Sequence, residues 1–336
     1  MNILFTCAGR RNYLLHYFRE ALKDQGLIIA ADMQSTAPAM AVADKAFGVP
    51  GVYNPGYVDK LLEICKNEQI LVVISLNDLD LPILAGSRAR FESIGTTVLV
   101  SAQKVIDICF DKWRTCEFAR LTGVSAPKTY LSWDEAVKAL DSKTLDFPLT
   151  LKPRWGSTSI GIEYPESMQE LRLSYDLSIL KLSRSILSRA SSEDKDRAIL
   201  FQEKLGGTEY GLDILNDLSG RPVQVYVKEK LAMRAGETDK AVLRKHPELE
   251  ELGFKIGNAL GHIGNLDCDI FETDGAFHLL EMNPRFGGGY PFSQMAGANF
   301  PAAIIAWLAG LEFDFSGFER KYDQPFAKCD TLIAVG

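Results

Sequence analysis

The sequence has no long apolar run, no paired cysteines and no surplus of positive charge. Nowhere do about 18 uncharged apolar residues follow one another, the minimum for a helix that crosses a bilayer, so no membrane role is expected. The formal net charge is -7 and the arginines are scattered, which leaves no basic field of the kind that holds nucleic acid. Cys7, Cys65, Cys109, Cys116, Cys268 and Cys329 form no C-x-x-C pair, and the 4 histidines show no zinc spacing, so buried thiols are expected. Met1 opens directly on NILFTC, an apolar run too short for a signal peptide and without a basic start, and the cytoplasm is the expected location. Two nucleotide fingerprints are missing as well. CAGRRNYL offers only Gly9 where G-x-G-x-x-G would admit a dinucleotide, although Asp32 ends the next strand where a ribose acid belongs. In LTLKPRWGSTSIG the lysine precedes the glycine loop, and no G-K-[ST] follows it, so it is not a P-loop.

At 336 residues and 46% hydrophobic, the chain is long enough for two or three packed lobes. NILFTC, LIIAAD and ILVVIS read as strands that alternate with the helical NYLLHYFREALKD and VDKLLEICKNE. That pattern predicts an open parallel α/β sheet, with ligands beyond the carboxyl ends of its strands. The helix start at Gly9, Arg10 and Arg11 suits a small anion. A helix is expected from Val105 to Ala119, another at SWDEAVKAL behind a Ser132/Glu135 capping box, and a third over residues 167 to 190 with its apolar stripe packed on its own lobe. The last third reads as antiparallel strands around a helix at LEELGFKIGNALG.

LDCDIFETDGAFHLLEMNPRFGGG carries the strongest chemical signal. A three-residue loop at Thr273, Asp274 and Gly275 would set Asp267 opposite Glu281, with Asp269 diagonal to it and Asn283 on the same face. A two-residue turn would instead put Cys268 opposite Glu281 and scatter the acids. So much like charge on one face calls for compensation, and an oxygen-only donor set points to magnesium or manganese. Upstream, Lys152 ends an apolar strand ahead of the glycine loop from Gly156 to Gly161, an arrangement in which small residues close over phosphates and the lysine supplies a point charge.

In chain order stand Lys112 in FDKWRT, Lys152 with its loop, FQEKLGGTEYGLDIL, RAGE and the acidic hairpin ending in EMNPR. This series resembles the ATP-grasp superfamily over roughly residues 1 to 310. It is nearest in type to carbamoyl phosphate synthetase large subunits and similar in plan to D-alanine:D-alanine ligase and biotin carboxylase. The resemblance implies an α/β and α+β fold: a leading α/β domain over 1–104, a linking helix and small lobe over 105–202, and a C-terminal lobe over 203–336. It implies that Lys112 and Lys152 touch the phosphates of ATP, under a lid of Gly156, Ser157, Thr158 and Ser159. It places Gln202, Glu203, Lys204 and Leu205 at the adenine, Glu209 at the ribose, Arg234 among the cofactor-binding residues, and Arg285 against the transferred phosphate. Asp267, Glu281 and Asn283 match the magnesium ligands, with Asp269 a further candidate.

The implied activity joins a small carboxylate, activated by ATP as an acyl phosphate, to an amine. A nucleotide-sensing shell without chemistry is the alternative. The chain has a single grasp and no glutaminase segment, so carbamoyl phosphate synthesis is not expected. RFGGGYPFSQMAGANFP replaces the serine-rich run that follows the arginine in that family, so the acceptor site should differ. The turn at Gly9 to Arg11 and polar groups near Asn77 and Asp78 are the expected acceptor contacts, with Arg234 and Tyr290 as the other location. A homodimer is left open.

Overall fold

The computed structural model describes residues 1–156 and 161–335, so the lid positions Ser157, Thr158 and Ser159 lie outside the described residues. The leading domain runs β1 (Asn2–Thr6), α1 (Asn12–Leu22), β2 (Ile28–Asp32), α2 (Pro38–Val42), β3 (Lys45–Gly48), α3 (Tyr57–Asn67), β4 (Ile70–Ser75), α4 (Leu81–Glu92) and β5 (Thr97–Val98). Its strands form a parallel sheet in the order β3-β2-β1-β4-β5. Near-continuous apolar strands such as ILVVIS suit a sheet buried on both faces. At the carboxyl ends of β1 and β4 the buried Asp80 carboxylate accepts hydrogen bonds from Tyr57 (2.9 Å), Ser75 (2.9 Å) and Thr6 (2.5 Å). Asp32, which resembles a ribose acid in sequence, is engaged locally by the backbone N–H groups of Gly9 and Gln34, each at 2.9 Å. The Gly9 amide is thus not open to an anion.

The single helix expected over Val105 to Ala119 is two, α5 (Gln103–Phe110) and α6 (Lys112–Thr122). Asp111 is extended between them, and its side chain caps α6 by accepting from the Trp113 backbone N–H at 2.9 Å. An aspartate inside a helical pattern competes for the backbone in this way and favours a cap over continuation. Both helices pack on the C-terminal sheet, where Val105, Cys109, Phe118 and Ala119 join its core.

The small lobe holds β6 (Thr129–Tyr130), α7 (Trp133–Asp141), β7 (Leu149–Pro153), α8 (Met168–Ser183), α9 (Ser188–Ser191) and β8 (Ile199–Glu203), with its sheet ordered β6-β8-β7. The Ser132 hydroxyl caps α7 by accepting from the Glu135 N–H at 3.2 Å. The helix expected over 167 to 190 stops at Ser183, and its apolar residues divide: Leu171 and Leu182 face the core, while Leu173, Leu177 and Leu180 are exposed. With apolar residues on both sides of the helix, sequence spacing could not say which stripe packs.

The C-terminal lobe runs β9 (Thr208–Asn216), β10 (Pro222–Arg234), β11 (Glu237–Leu243), α10 (Pro247–Leu260), β12 (Gly264–Thr273), β13 (Ala276–Asn283), α11 (Tyr290–Met295), α12 (Phe300–Leu308) and β14 (Pro325–Ala327). Its antiparallel sheet is ordered β13-β12-β9-β10-β11-β14. One face packs on α10, α5 and α6; the other carries the polar residues described below. The leading domain and this lobe share one core, in which Phe5, Phe18, Phe286, Tyr290 and Phe300 meet. No helix among the described residues is long and apolar enough to cross a membrane. Of the cysteines, Cys65, Cys109 and Cys268 are buried, Cys7 and Cys116 are half-buried, and Cys329 is exposed on the C-terminal segment.

The small lobe has its own core around the fully buried Phe201, which stacks on Tyr175 at 5.4 Å and meets Trp133 edge-on at 6.0 Å. Phe201→Ala should lower the unfolding free energy by about 3–5 kcal/mol. Denaturant titration with fluorescence detection measures this, and a loss below about 1 kcal/mol would mean that the lobe collapses around the gap.

Candidate active site

The hairpin of β12 and β13 reaches the expected cluster by an unexpected route. Asp274 and Gly275 both have positive φ and make a two-residue turn, which starts the ladder with Thr273 opposite Ala276. That register would set Cys268 against Glu281. A bulge at Leu280 then shifts it by one residue, so Asp269 lies opposite Glu281 and Asp267 opposite Asn283. The three-residue loop is therefore corrected, and the bulge is what returns the acids to one face.

Strand β9 extends that face. Asp213 lies opposite Asp267, Gly211 opposite Asp269, and Lys228 of β10 opposite Gly211. Gly211 leaves the gap over which two lysine stems cross: a Cβ there would stand 3.2 Å from the Lys230 side chain and 3.4 Å from that of Lys228. Lys230 reaches across to both Glu209 (2.7 Å) and Asp269 (2.6 Å), while Lys228 pairs with the buried Asp213, which also accepts from Ser293 at 2.5 Å.

The glycine run after Arg285 has a steric cause. A Cβ on Gly287 would overlap the Asp267 carboxylate and one on Gly288 would crowd the Glu237 carboxylate at 3.1 Å, while one on Gly289 would meet Lys228 in ordinary contact at 3.6 Å. Gly287 and Gly288 let the loop lie flat against two carboxylates.

Two cavities open onto this face. The larger, about 390 Å³, lies between the small and C-terminal lobes, within the usual range for a small-molecule site. Trp155, Ile162, Tyr164, Leu187, Leu205, Met233 and Phe271 supply apolar wall, and Lys112, Lys152, Glu209, Asp269 and Glu281 supply charge. Gly156, Gln202, Glu203 and Lys204 also line it. The Gln202 side chain donates to Thr129 at 2.7 Å, the Glu203 carboxylate accepts from the Lys128 backbone N–H at 2.7 Å, and the Lys204 ammonium sits 4.9 Å from the Tyr164 ring centre.

Asp111 positions Lys112. It caps α6 and pairs with Arg154 at 2.7 Å, so Lys112, the first residue of the helix, turns its ammonium to the Gly156 carbonyl and to within 3.8 Å of Glu281. Lys152, buried at the end of β7, has its pKa lowered to about 8 by burial and then by the positive charge of Lys112, partly offset by Glu281. Burial pushes the Asp269 carboxyl up to about 7 against the pull of Lys230. Burial raises Glu281 too, but Lys112 and Lys152 outweigh it and hold its carboxyl below the usual range.

The second cavity lies on the other side of the acids, between the leading domain and the C-terminal lobe. Arg11, Lys228, Lys230, Glu237, Asp267, Asn283 and Arg285 line it, and it shares Asp269, Glu281, Met233 and Gly236 with the first. Arg285 is buried, bonded to Asp78 at 2.6 Å and 3.8 Å from Asp267. Arg11 donates to the Phe286 carbonyl, and Arg10 is exposed.

Arg234 is brought to neither cavity. It is exposed at the end of β10 and held by Asp239 (3.0 Å) and Asp330 (2.8 Å); the neighbouring Met233 lines both cavities, and successive strand residues point to opposite faces. Tyr290 is also unavailable, since its hydroxyl is buried between Gln294 and the Phe300 N–H. Asn77 accepts from the Leu79 N–H at 2.9 Å and caps its own turn. Sequence reasoning passed over Lys228 and Lys230, although their two-residue spacing in VYVKEKL was a legible sign that both share one strand face.

Residues 3–99 match a family model described as the PylC-like N-terminal domain, and residues 195–324 one described as ATP-grasp in the biosynthetic pathway with Ter operon. The carbamoyl phosphate synthase large chain of Gemmatimonas aurantiaca is 22% identical over 322 residues, 91% of this chain and 27% of that one. D-alanine–D-alanine ligase of Streptococcus thermophilus is 28% identical over 201 residues, 58% of this chain and 56% of that one. The chain thus spans less than two thirds of either curated relative. The biotin carboxylase domain of Hydrogenobacter thermophilus 2-oxoglutarate carboxylase, solved with MgADP, ADP and bicarbonate, superposes with a TM-score of 0.73 at 18% identity, over 96% of this chain and 73% of that one. Residues 3–99 thus carry a likeness to a PylC-like leading domain and residues 195–324 a likeness to an ATP-grasp, and the superposition shows the same fold across both.

With Lys152 against a nucleotide phosphate, the contact expected from its place before the glycine loop, the protonated form is the one that attracts. Above pH 8 the free protein must therefore take up a proton to bind nucleotide, and affinity should fall by up to about tenfold per pH unit, staying flat below. Calorimetric titration of ADP between pH 6.5 and 9.5 measures this. Lys152→Arg, charged throughout, should flatten the slope; an equal slope in that variant would assign the titration to another group.

Proposed function

We propose that this protein is an ATP-dependent carboxylate–amine ligase, working in the cytoplasm where its nucleotide is. One observation carries the reading: two cavities meet at Asp269 and Glu281, with Lys112 and Lys152 on one side and Arg285 on the other. ATP fits the larger cavity, with adenine among its apolar wall residues and the 202–205 segment, ribose at Glu209, and phosphates toward Lys112 and Lys152. The second cavity then presents a carboxylate to the γ-phosphate in line across the acids.

Among the described residues no three His, Cys, Asp or Glu side chains converge closely enough to cage an ion, and Lys230 and Lys112 already compensate Asp269 and Glu281. The charge of the hairpin thus does not by itself require a metal. The donor set still fits one: Asp267, Glu281 and Asn283 offer only oxygens from one face. A hard cation with few protein ligands would complete its shell with phosphate oxygens, as magnesium does. When bound, Mg²⁺ would neutralise charge on the transferring phosphoryl group.

A carboxylate oxygen attacks the γ-phosphorus, the bond to the β-bridging oxygen breaks, and ADP leaves. The amine then adds to the acyl carbon of the acyl phosphate, inorganic phosphate departs with the C–O bond pair, and the amine gives up a proton. Lys112, Lys152 and Arg285 spread the charge that builds on the phosphoryl oxygens. The Asp78 pair and the shared core of the two lobes hold Arg285 in place.

Glu281→Gln removes a negative charge without changing volume, and turnover should fall by about 100-fold or more while the fold stands, a loss typical of removing a group that stabilises transferring charge. The assay follows ADP release from ATP and Mg²⁺ with pooled carboxylates and amines. Most of the activity surviving in this variant would remove Glu281 from the machinery. Nucleotide binding with no carboxylate-dependent ADP release from the unsubstituted protein would favour a sensor.

A further inference from the structure

Helix α8 carries leucines on two opposite sides. Leu171 and Leu182 enter the core of the small lobe, and Tyr175 and Ile179 pack against that core. The opposite side presents Leu173, Leu177 and Leu180, spaced as successive members of one helical row and 64%, 44% and 51% exposed. Single exposed leucines are ordinary on a protein surface, but three in one row form a seam of the kind that packs on another helix. No residue of this seam lines either cavity.

Charge marks the two ends of the row. One further step of the same spacing in each direction reaches Glu170 and Arg184, so the row reads Glu170, Leu173, Leu177, Leu180, Arg184. The other charged residues of the helix are already paired, Arg172 with Asp176 at 3.1 Å and Lys181 with Glu163 at 2.7 Å. Among the described residues neither Glu170 nor Arg184 has an ion-pair partner. The Glu170 carboxylate accepts from the Glu166 backbone N–H at 2.8 Å through one of its two oxygens.

We propose that the exposed row of α8 is the contact surface for a second copy of this chain, the two helices packed antiparallel about a two-fold axis at Leu177. Leu177 is the midpoint of the row, with each charged end about 10 Å away along the helix. Rotation about that point sets Leu177 against Leu177, Leu173 beside Leu180, and Glu170 against Arg184 at both ends. A two-fold interface requires a patch that complements itself in this way. Parallel pairing would stack Glu170 on Glu170 and Arg184 on Arg184. A membrane surface fits less well, because an anionic bilayer attracts basic flanks, whereas this row has an acid at one end and the chain a net charge of -7. One helix face covers less than the roughly 800 Å² per partner of a standard interface, so the dimer is weak and reversible.

Sedimentation velocity of the full chain between about 1 and 100 µM, where weak interfaces associate, should show a monomer–dimer equilibrium. Leu177→Glu sets two carboxylates face to face on the axis and should raise the dimer dissociation constant by about tenfold or more. Glu170→Arg and Arg184→Glu should each weaken the dimer by about fivefold, since each turns two attractive contacts per dimer into repulsive ones, and the double variant should recover the loss. Only antiparallel pairing of the row with itself gives that recovery. In a Cys329→Ser background, Leu177→Cys should cross-link two copies under mild oxidation, because the axis brings the two thiols together. An unchanged thermal midpoint and unchanged ADP affinity report that each variant is folded. A chain that stays monomeric throughout the range, or a dimer indifferent to Leu177→Glu and to the charge exchange, would overturn the proposal. So would a monomeric chain that sediments with anionic vesicles and loses them in Leu177→Glu, which would give the row to a membrane.

Discussion

Asp267, Asp269 and Glu281 stand on neighbouring positions of two paired strands, and like charges so placed repel. They share a face only because cations reach them from separate parts of the chain: Lys112 from a helix start, Lys152 from the small lobe, Lys230 from β10 and Arg285 from the loop beyond β13. Each cation has its own support. Asp111 fixes the helix start of Lys112, Gly211 gives Lys230 its passage, and Asp78 holds Arg285. The three lobes are thus joined electrostatically at the point where two cavities meet.

The fold was legible where periodicity is strong. Alternating apolar runs and helices in the first hundred residues gave the parallel sheet, and the EMNPR strand gave the acidic face. What escaped was decided by single residues. One bulge at Leu280 reset the hairpin, which no pairing rule based on turn length could foresee. Asp111 broke a helix whose apolar spacing runs on across it. On α8, leucines on opposite sides left the packed face undetermined until the lobe around it was in place.

The site divides in the same way. Lys112, Lys152, Gln202, Glu203, Glu209 and Glu281 are brought to one cavity because each stands at the end or on the face of a regular element, and Gly156, Lys204 and Leu205 follow in the loops just beyond β7 and β8. Arg234 sits at the tip of a long strand beside Met233, which takes the cavity side, and it turns to Asp330 instead. Arg11 needed the packing of two lobes to find its place. Its sequence neighbours suggested a local anion turn, whereas Asp32 closes that turn and Arg11 crosses to Phe286.

The two family models meet this chain as separate pieces, yet the core is not divided between them. Phe18 of the leading domain lies edge-on to Phe286 at 5.7 Å, and Tyr17 meets Tyr290 at 6.3 Å. A cut in the linker near Ser101 would leave an aromatic patch bare on both halves, the kind of surface that drives aggregation. Modules that look exchangeable along the sequence are therefore not exchangeable in practice: a foreign leading domain would have to bring matching aromatics for α11 and α12, an aspartate for Arg285 and a guanidinium for the Phe286 carbonyl, all in one step.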